Sequence, residues 1–201
     1  MNLYLEHADF AAPFFIRLQK IYSIIDEQYR RTADYYGFNC RGCDDNCCMT
    51  LFFHHTYLEF FYLMEGLYAL PTDIREALFE RAKDENGKTA EMEKKSPTFR
   101  RMCPLNVGGL CILYDRRPLI CRMHGIPHEL RTPGRLTTFG PGCAAFSIQC
   151  GSKKIFRFDR TPFYVEMSNL EKELKQKFKI SRKFKKTITQ MLIEKNEISG
   201  H

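Results

Sequence analysis

Cysteine is the residue type that most constrains this chain. Nine cysteines occur in 201 residues, and all of them lie between Cys40 and Cys150. Because the number is odd, they cannot all pair as disulfides within one chain. A chain of this length also buries enough apolar surface to fold without covalent staples. The cysteines therefore indicate metal or redox chemistry more than cross-linking.

The first cysteine cluster places four thiols within nine residues. Cys40 and Cys43 have the C-x2-C spacing of a metal knuckle, in which one tight turn presents two thiolates to the same ion. Cys47 is within reach of that ion if the segment turns helically. The adjacent Cys48 should point elsewhere, to a second centre or to another part of a multinuclear one. The flanking residues are polar, which argues against ordinary buried cysteines.

The second cysteine group lies in a segment rich in proline and glycine, and it consists of Cys103, Cys111, Cys121 and Cys143. Leu110–Tyr114 is predicted to be a short strand. Leu130–Phe139 is predicted to be a hairpin that turns at Pro133-Gly134, a pair typical of type II turns. Such a segment buries little apolar surface, and metal ligation would supply the missing order.

Helical periodicity occupies both ends of the chain. Apolar residues recur at steps of three and four from Phe14 to Tyr29, with Asp9 as a candidate cap and Gly37 as a stop. Further helices are predicted over about 54–70 and from Thr161-Pro162, where proline suits the first turn. We therefore predict a mainly α protein with a minor β part. It should be a helical body around an irregular, cysteine-ligated metal core with one or two short hairpins.

The order of the cysteines resembles that of a known family. C-x2-C-x3-C-C is followed by Cys103-Pro104, by Cys111-x2-Tyr114-x2-Arg117-Pro118-x2-Cys121-Arg122, and by Cys143. This order is similar to the bacterial YkgJ-like family, described as a zinc- or iron-chelating domain, and a similar cluster occurs in flagellin lysine methylases. The resemblance covers about residues 40–145 and leaves Cys150 outside the pattern. It implies that the metal ligands are Cys40, Cys43, Cys47, Cys48, Cys103, Cys111, Cys121 and Cys143, and it does not fix a reaction.

Arginine and histidine side chains near Cys121 are further candidates for contact with the metal centre. Arg117 and Arg122 are predicted to be cofactor-binding residues that offset the negative charge of metal–thiolate centres. His124 follows Cys121 by three residues and is a candidate ligand or reactive group. His54 and His55, at the predicted start of a helix, are interpreted as structural.

Net charge divides the chain in a different way. Residues 151–201 hold 13 Lys and Arg against 6 Asp and Glu, whereas residues 1–150 hold 18 of each sign, so the whole excess of +7 lies in the last 51 residues. We predict a cysteine-cluster domain at 1–151, with its metal core at about 40–145, and a basic helical tail at 152–201 packed on the body. Nucleic acid is an alternative partner for the tail, but it is not favoured, because the tail's phenylalanines follow the packing stripe instead of interleaving with basic residues.

These features together predict a metal-binding protein of the zinc- or iron-chelating type. The metal is zinc or iron, including a 4Fe-4S cluster, because thiolates accept both. The centre would be structural or used in metal or redox handling, and its protein client is unknown. Two alternatives are a metal-dependent redox or group-transfer enzyme and a zinc-scaffolded nucleic-acid binder. We expect a cytoplasmic protein without a membrane partner, because the N-terminus lacks the pattern of a signal peptide and no apolar run approaches ~20 residues.

Overall fold

The structure is a computed structural model that describes the backbone of residues 3–40, 47–92, 101–151, 153 and 156–197. Its side chains are described over 10–40, 48–87, 101–151, 153 and 156–194. The helices within these ranges are α1 (Leu3–Tyr36), α2 (Tyr57–Tyr68), α3 (Thr72–Met92), α4 (Leu119–Arg122), α5 (Ala144–Cys150), α6 (Thr161–Lys177) and α7 (Ile188–Glu197). The strands are β1 (Asn106–Val107), β2 (Leu110–Cys111), β3 (His128–Leu130), β4 (Thr138–Gly140) and β5 (Phe158–Asp159). The prediction of a mainly α protein with a minor β part is confirmed.

The first helix, α1, is longer than its apolar pattern predicted. It begins at Leu3 and runs through Asp9 and Pro13, so the predicted cap at Asp9 is wrong. Its end is as predicted, because Gly37 adopts a positive φ of 63° that suits glycine. The Phe38 and Gly37 amides then donate to carbonyls of the last turn, as in a Schellman motif. The buried face of α1 includes Leu18, Ile21 and Ile25.

The second helix, α2, forms the centre of the body and is buried on almost every side. Thr56 caps its N-terminus by accepting from the Glu59 amide. A second cap comes from α6, where the Glu171 carboxylate accepts from the Tyr57 and Leu58 amides, both at 3.0 Å. Helix α2 thus combines a continuous apolar surface with two caps that satisfy its first-turn amides.

The C-terminal region is part of the hydrophobic core. Helix α6 packs against α1 and α2, and α7 packs against α3. The core side chains that this region supplies are Phe158, Phe163, Met167, Leu170, Leu174, Phe184, Met191 and Leu192. Strand β5 also pairs in parallel with β3 of the preceding region. The chain beyond 156 is therefore joined to the body by both packing and strand pairing.

Two small sheets order the proline- and glycine-rich segment. Strands β1 and β2 form a hairpin, and β3 lies between β4 and β5 in a second sheet. The turn between β3 and β4 is closed by the Arg135 amide donating to the Thr132 carbonyl, and Gly134 has a φ of 72°. This geometry agrees with the predicted Pro133-Gly134 hairpin. Among the described helices, none is long and apolar enough to cross a membrane.

Candidate metal centre

Six cysteines from separate parts of the chain line one cavity of about 1010 Å³. They are Cys40, Cys48, Cys103, Cys111, Cys121 and Cys143. The described side chains therefore bring together the six predicted ligands whose positions are known. Of the other two, Cys43 lies outside the described residues. Cys47 begins a short 3-10 turn over Cys47–Met49, and its side chain lies outside the described set.

The hairpin of β1 and β2 accounts for the spacing between Cys103 and Cys111. The two glycines of its turn have φ values of 60° and 88°, which permits a tight reversal. Cys111 thereby pairs with Asn106, whose amide donates to the Cys103 carbonyl at 2.9 Å. The Cys103 amide in turn donates to the Cys48 carbonyl at 2.8 Å, which links the two cysteine clusters through the backbone.

Cys121 lies on α4, a single helical turn that is held from two sides. Pro118 precedes it in extended conformation, as the fixed φ of proline allows. The buried Glu59 carboxylate of α2 accepts from the Leu119 amide at 2.7 Å. Glu59 thus ties the N-terminus of α4 to the core and positions Cys121. The sequence showed Glu59 only as a charge inside an apolar run.

Cys143 and Cys150 lie at opposite ends of α5 and have different surroundings. Cys143 is the N-cap, and its Sγ accepts from the Phe146 amide at 3.4 Å. Cys150 is 2% exposed, and its thiol donates to the Tyr36 carbonyl at 3.5 Å. Cys150 therefore contributes to the core, whereas Cys143 lines the cavity.

Burial holds the inner thiols in their protonated form. It raises the pKa of Cys103 to about 12, although the Leu105 amide that bonds its sulfur opposes the shift. Burial likewise raises the pKa of Cys111, against a hydrogen bond from the Leu113 amide. The pKa of Cys121 is raised well above its ordinary value by burial, and then by the nearby Cys103 and Cys111. If these sulfurs bound a metal, their protons would be released to solvent, because a thiol ligates as its thiolate.

The arginines that bracket Cys121 lie in different settings. Arg117 lines the cavity, lies over the Tyr114 ring at 3.5 Å, and partly opposes the rise that burial causes in the pKa of Cys111. Arg122 also lines the cavity, but it is buried and pairs with Asp26 at 2.6 Å. It also donates to the Arg117 carbonyl at 2.9 Å, so its contacts fasten this loop to α1.

Two histidines line the same cavity. The His124 ring meets the Phe52 ring edge-on at 5.2 Å, and the His124 carbonyl accepts from the Tyr29 hydroxyl at 2.8 Å. His54 is only 2% exposed, and neither of its ring nitrogens has a hydrogen-bond partner among the described residues. Sequence reasoning treated His54 as structural, because neither its burial nor its place on the cavity is visible in the local pattern.

The donor chemistry suits soft metal ions, although the thiols do not form a closed site. Within the part of the chain that the structure describes, no three His, Cys, Asp or Glu side chains are grouped so that they could hold one metal ion. Thiolates are nevertheless the preferred ligands of zinc and of iron–sulfur clusters. The amides of Leu105, Leu113 and Phe146 already bond cysteine sulfurs, an arrangement that favours thiolate ligands.

Comparisons with protein-family models, curated proteins and solved structures found no match to this chain.

Proposed function

We propose that this chain is a metal-binding protein whose cysteine cluster holds zinc or iron, in the manner implied by its resemblance to the YkgJ-like family. One observation carries the proposal: six cysteines, separated by up to 103 positions from Cys40 to Cys143, line a single cavity. Chance burial of cysteines as small apolar residues would scatter them through the core, as Cys150 illustrates.

The surroundings of the thiols also fit this function. Backbone amides bond three of the sulfurs, and Arg117 supplies a positive charge near Cys111. Both features oppose the rise that burial causes in the thiol pKa values, and they would stabilise the thiolates that a metal binds. Cys103, Cys111, Cys121, Cys143 and Cys150 are free thiols, as a reducing compartment such as the cytoplasm would keep them.

In this proposal, metal binding would bring the cysteine-bearing loops together around the ion. The inner thiols share the cavity without forming a complete site, and Cys43 and Cys47 belong to the same predicted set. Ligation would draw these segments together and release protons from Cys103 and Cys121. The free energy of metal binding, ~10–16 kcal/mol for structural zinc, would then contribute to the order of the cysteine-rich segment.

Elemental analysis and absorption spectroscopy of protein purified without oxygen test the proposal. We expect zinc, or iron with the visible absorption of an iron–sulfur cluster. The metal content should fall in Cys103→Ser and Cys121→Ser, and it should be unchanged in the control Cys150→Ser. A wild-type protein that is folded but contains neither metal, and takes up neither on reconstitution, would overturn the proposal.

A further inference from the structure

One end of the cavity is built from residues that the cysteine cluster does not use. His54 lies just before α2, and its backbone forms an antiparallel bridge with Lys186, with N–O distances of 2.8 and 3.0 Å. Lys186 immediately precedes Thr187, which with Ile188 and Thr189 also lines the cavity. The bridge therefore places the buried imidazole beside the start of α7.

The start of α7 presents backbone donors at the cavity wall. Thr187 and Gln190 cap the helix reciprocally: the Thr187 amide donates to Gln190 Oε1 at 2.9 Å, and the Gln190 amide donates to Thr187 Oγ1 at 3.2 Å. The amides of Ile188 and Thr189 belong to the first turn, where no intrahelical acceptor is available. A ten-residue helix also concentrates partial positive charge at this end.

His54 provides a second, independent indication of a ligand. Its ring is almost completely buried, yet both nitrogens lack hydrogen-bond partners within the described residues. A buried polar group without a partner destabilises the folded chain, and a hydrogen bond from a ligand would remove that cost. Burial, followed by the charge of His55, lowers the pKa of His54 to about 4, so the ring is neutral near pH 7 and still has one N–H to donate.

The charges around the cavity favour an anion. Each carboxylate among the described lining residues is paired with an arginine: Asp26 with Arg122 at 2.6 Å, Asp34 with Arg30 at 3.1 Å, and Glu85 with Arg101 at 3.1 Å. Arg117 lines the cavity in addition to these three arginines. The described wall therefore carries one more positive than negative side chain before the helix terminus is considered.

We propose that His54 and the N-terminus of α7 form a subsite for the oxyanion group, carboxylate or phosphate, of a small molecule that enters the cysteine-lined cavity. The cavity, at about 1010 Å³, has the size of a small-molecule pocket and exceeds what a metal ion needs. The imidazole N–H and the first-turn amides would donate to the oxyanion. Anion binding at this subsite does not require the metal. The inference that the bound molecule lies beside metal ligands rests on the proposed function.

Anion binding to the full-length protein tests this subsite. Isothermal titration calorimetry would use inorganic phosphate and acetate as probes, with metal content measured on the same samples. We expect saturable binding of at least one probe by the wild type. Phosphate alone would identify a phosphate-bearing ligand, and acetate alone a carboxylic acid. Saturable binding of neither probe would overturn the proposal.

Two variants, each with a matched control, test whether the anion binds at His54 and the N-terminus of α7. His54→Phe keeps a flat ring and removes both nitrogens, and His55→Phe makes the same change at the exposed neighbour. Thr189→Glu places a fixed carboxylate at the helix N-terminus, and Thr189→Gln adds similar bulk without charge. We expect His54→Phe and Thr189→Glu each to weaken anion binding roughly tenfold or more, Thr189→Gln to weaken it less than Thr189→Glu does, and His55→Phe to stay within about twofold.

The two proposals fail in distinguishable ways. Anion affinity that is unchanged in both His54→Phe and Thr189→Glu would overturn the subsite, even if the protein contains its full complement of metal. Absence of metal from the wild type, with anion binding intact, would instead overturn the proposed function. If His54→Phe fails to fold, Thr189→Glu decides the question, because an acidic residue in the first turn stabilises a helix.

Discussion

The helical body and the cysteine-rich segment obtain their order in different ways. In the body, long helices bury side chains completely, and Leu18, Phe61 and Leu174 have no exposed surface. In the segment from 101 to 143, the strands are two or three residues long, and its four cysteines are only partly buried. The body is ordered by apolar burial along long helices. The segment is ordered by single side chains inserted into the same core, such as Leu105, Met123 and Ile126, by polar contacts with the body and, in our proposal, by ligation.

Polar contacts with the helical body add to the apolar attachments of the cysteine-rich segment. Glu59 holds the start of α4, and Arg122 joins that loop to Asp26 of α1. Arg116 pairs with Glu65 of α2 at 2.8 Å and lies over the Tyr62 ring. The comparison shows how a segment with little regular secondary structure can be positioned by apolar and polar contacts with a helical body, leaving its thiols around a cavity.

Removing the C-terminal region should have the largest effect on stability. Deletion of residues 156–201 takes away eight core side chains and the Glu171 cap of α2. Since each buried apolar side chain contributes about 1.5–3 kcal/mol, the eight together contribute about 12–24 kcal/mol, which is comparable to or larger than the ~5–15 kcal/mol by which a typical domain is stable. We expect an insoluble or unfolded product by circular dichroism. A cooperative thermal transition in the truncated protein would show that the body does not need this region.

The second prediction separates ligand cysteines from core cysteines. Cys121→Ser should lose metal and several kcal/mol of stability, because metal binding is coupled to folding. Cys150→Ser should retain the metal and lose about 1–3 kcal/mol, the cost of a buried polar substitution. Chemical denaturation and elemental analysis of both variants provide the measurement. Equal metal loss in the two variants would assign Cys150 to the centre.

The third prediction concerns how the stability of the protein depends on pH through His54. The pKa of His54 falls from an ordinary 6.5 to about 4 in the folded chain, because of burial and then His55. The folded state therefore binds this proton more weakly than the unfolded state does. Its contribution to stability is present above pH 6.5 and is lost as the pH falls toward 4, by up to about 3 kcal/mol.

Denaturation of His54→Phe and His55→Phe from pH 7.5 to 4 measures this contribution. His54→Phe should have the flattest stability profile over that interval. His55→Phe, which removes only the smaller cause of the lowered pKa, should lie between His54→Phe and the wild type. A profile of His54→Phe as steep as that of the wild type would mean that other groups cause the acid sensitivity.

The smallest expected effect tests the anchor between the two regions. Glu59→Gln keeps an oxygen that can accept from the Leu119 amide but removes the charge, so we expect a loss of about 1 kcal/mol. Glu59→Ala removes the acceptor and should cost about 2–3 kcal/mol together with some metal affinity. Thermal melting and metal competition compare the two variants. Equal metal affinity in Glu59→Ala and the wild type would mean that Glu59 supports α2 alone and does not position Cys121.

Local patterns predicted several elements of this fold. The apolar spacing of α1 and its stop at Gly37 depend on residues within a few positions of each other, and so does the Pro133-Gly134 turn. The start of α1 could not be predicted in this way, because the helix continues through Pro13 despite the hydrogen bond that proline removes. Packing against α2 and α6 outweighs that local cost.

The candidate site also has features that local sequence patterns predict and features that depend on tertiary packing. The sequence alone determined which residues are the candidate ligands, because the spacing of cysteines is a local property of the chain. Only the tertiary structure placed six of them on one cavity, separated Cys150 from them, and brought Glu59 and His54 into their surroundings. The physical reason is that burial and hydrogen-bond partners arise between segments far apart in the chain, as between His54 and Lys186, and no pattern within either segment encodes the other.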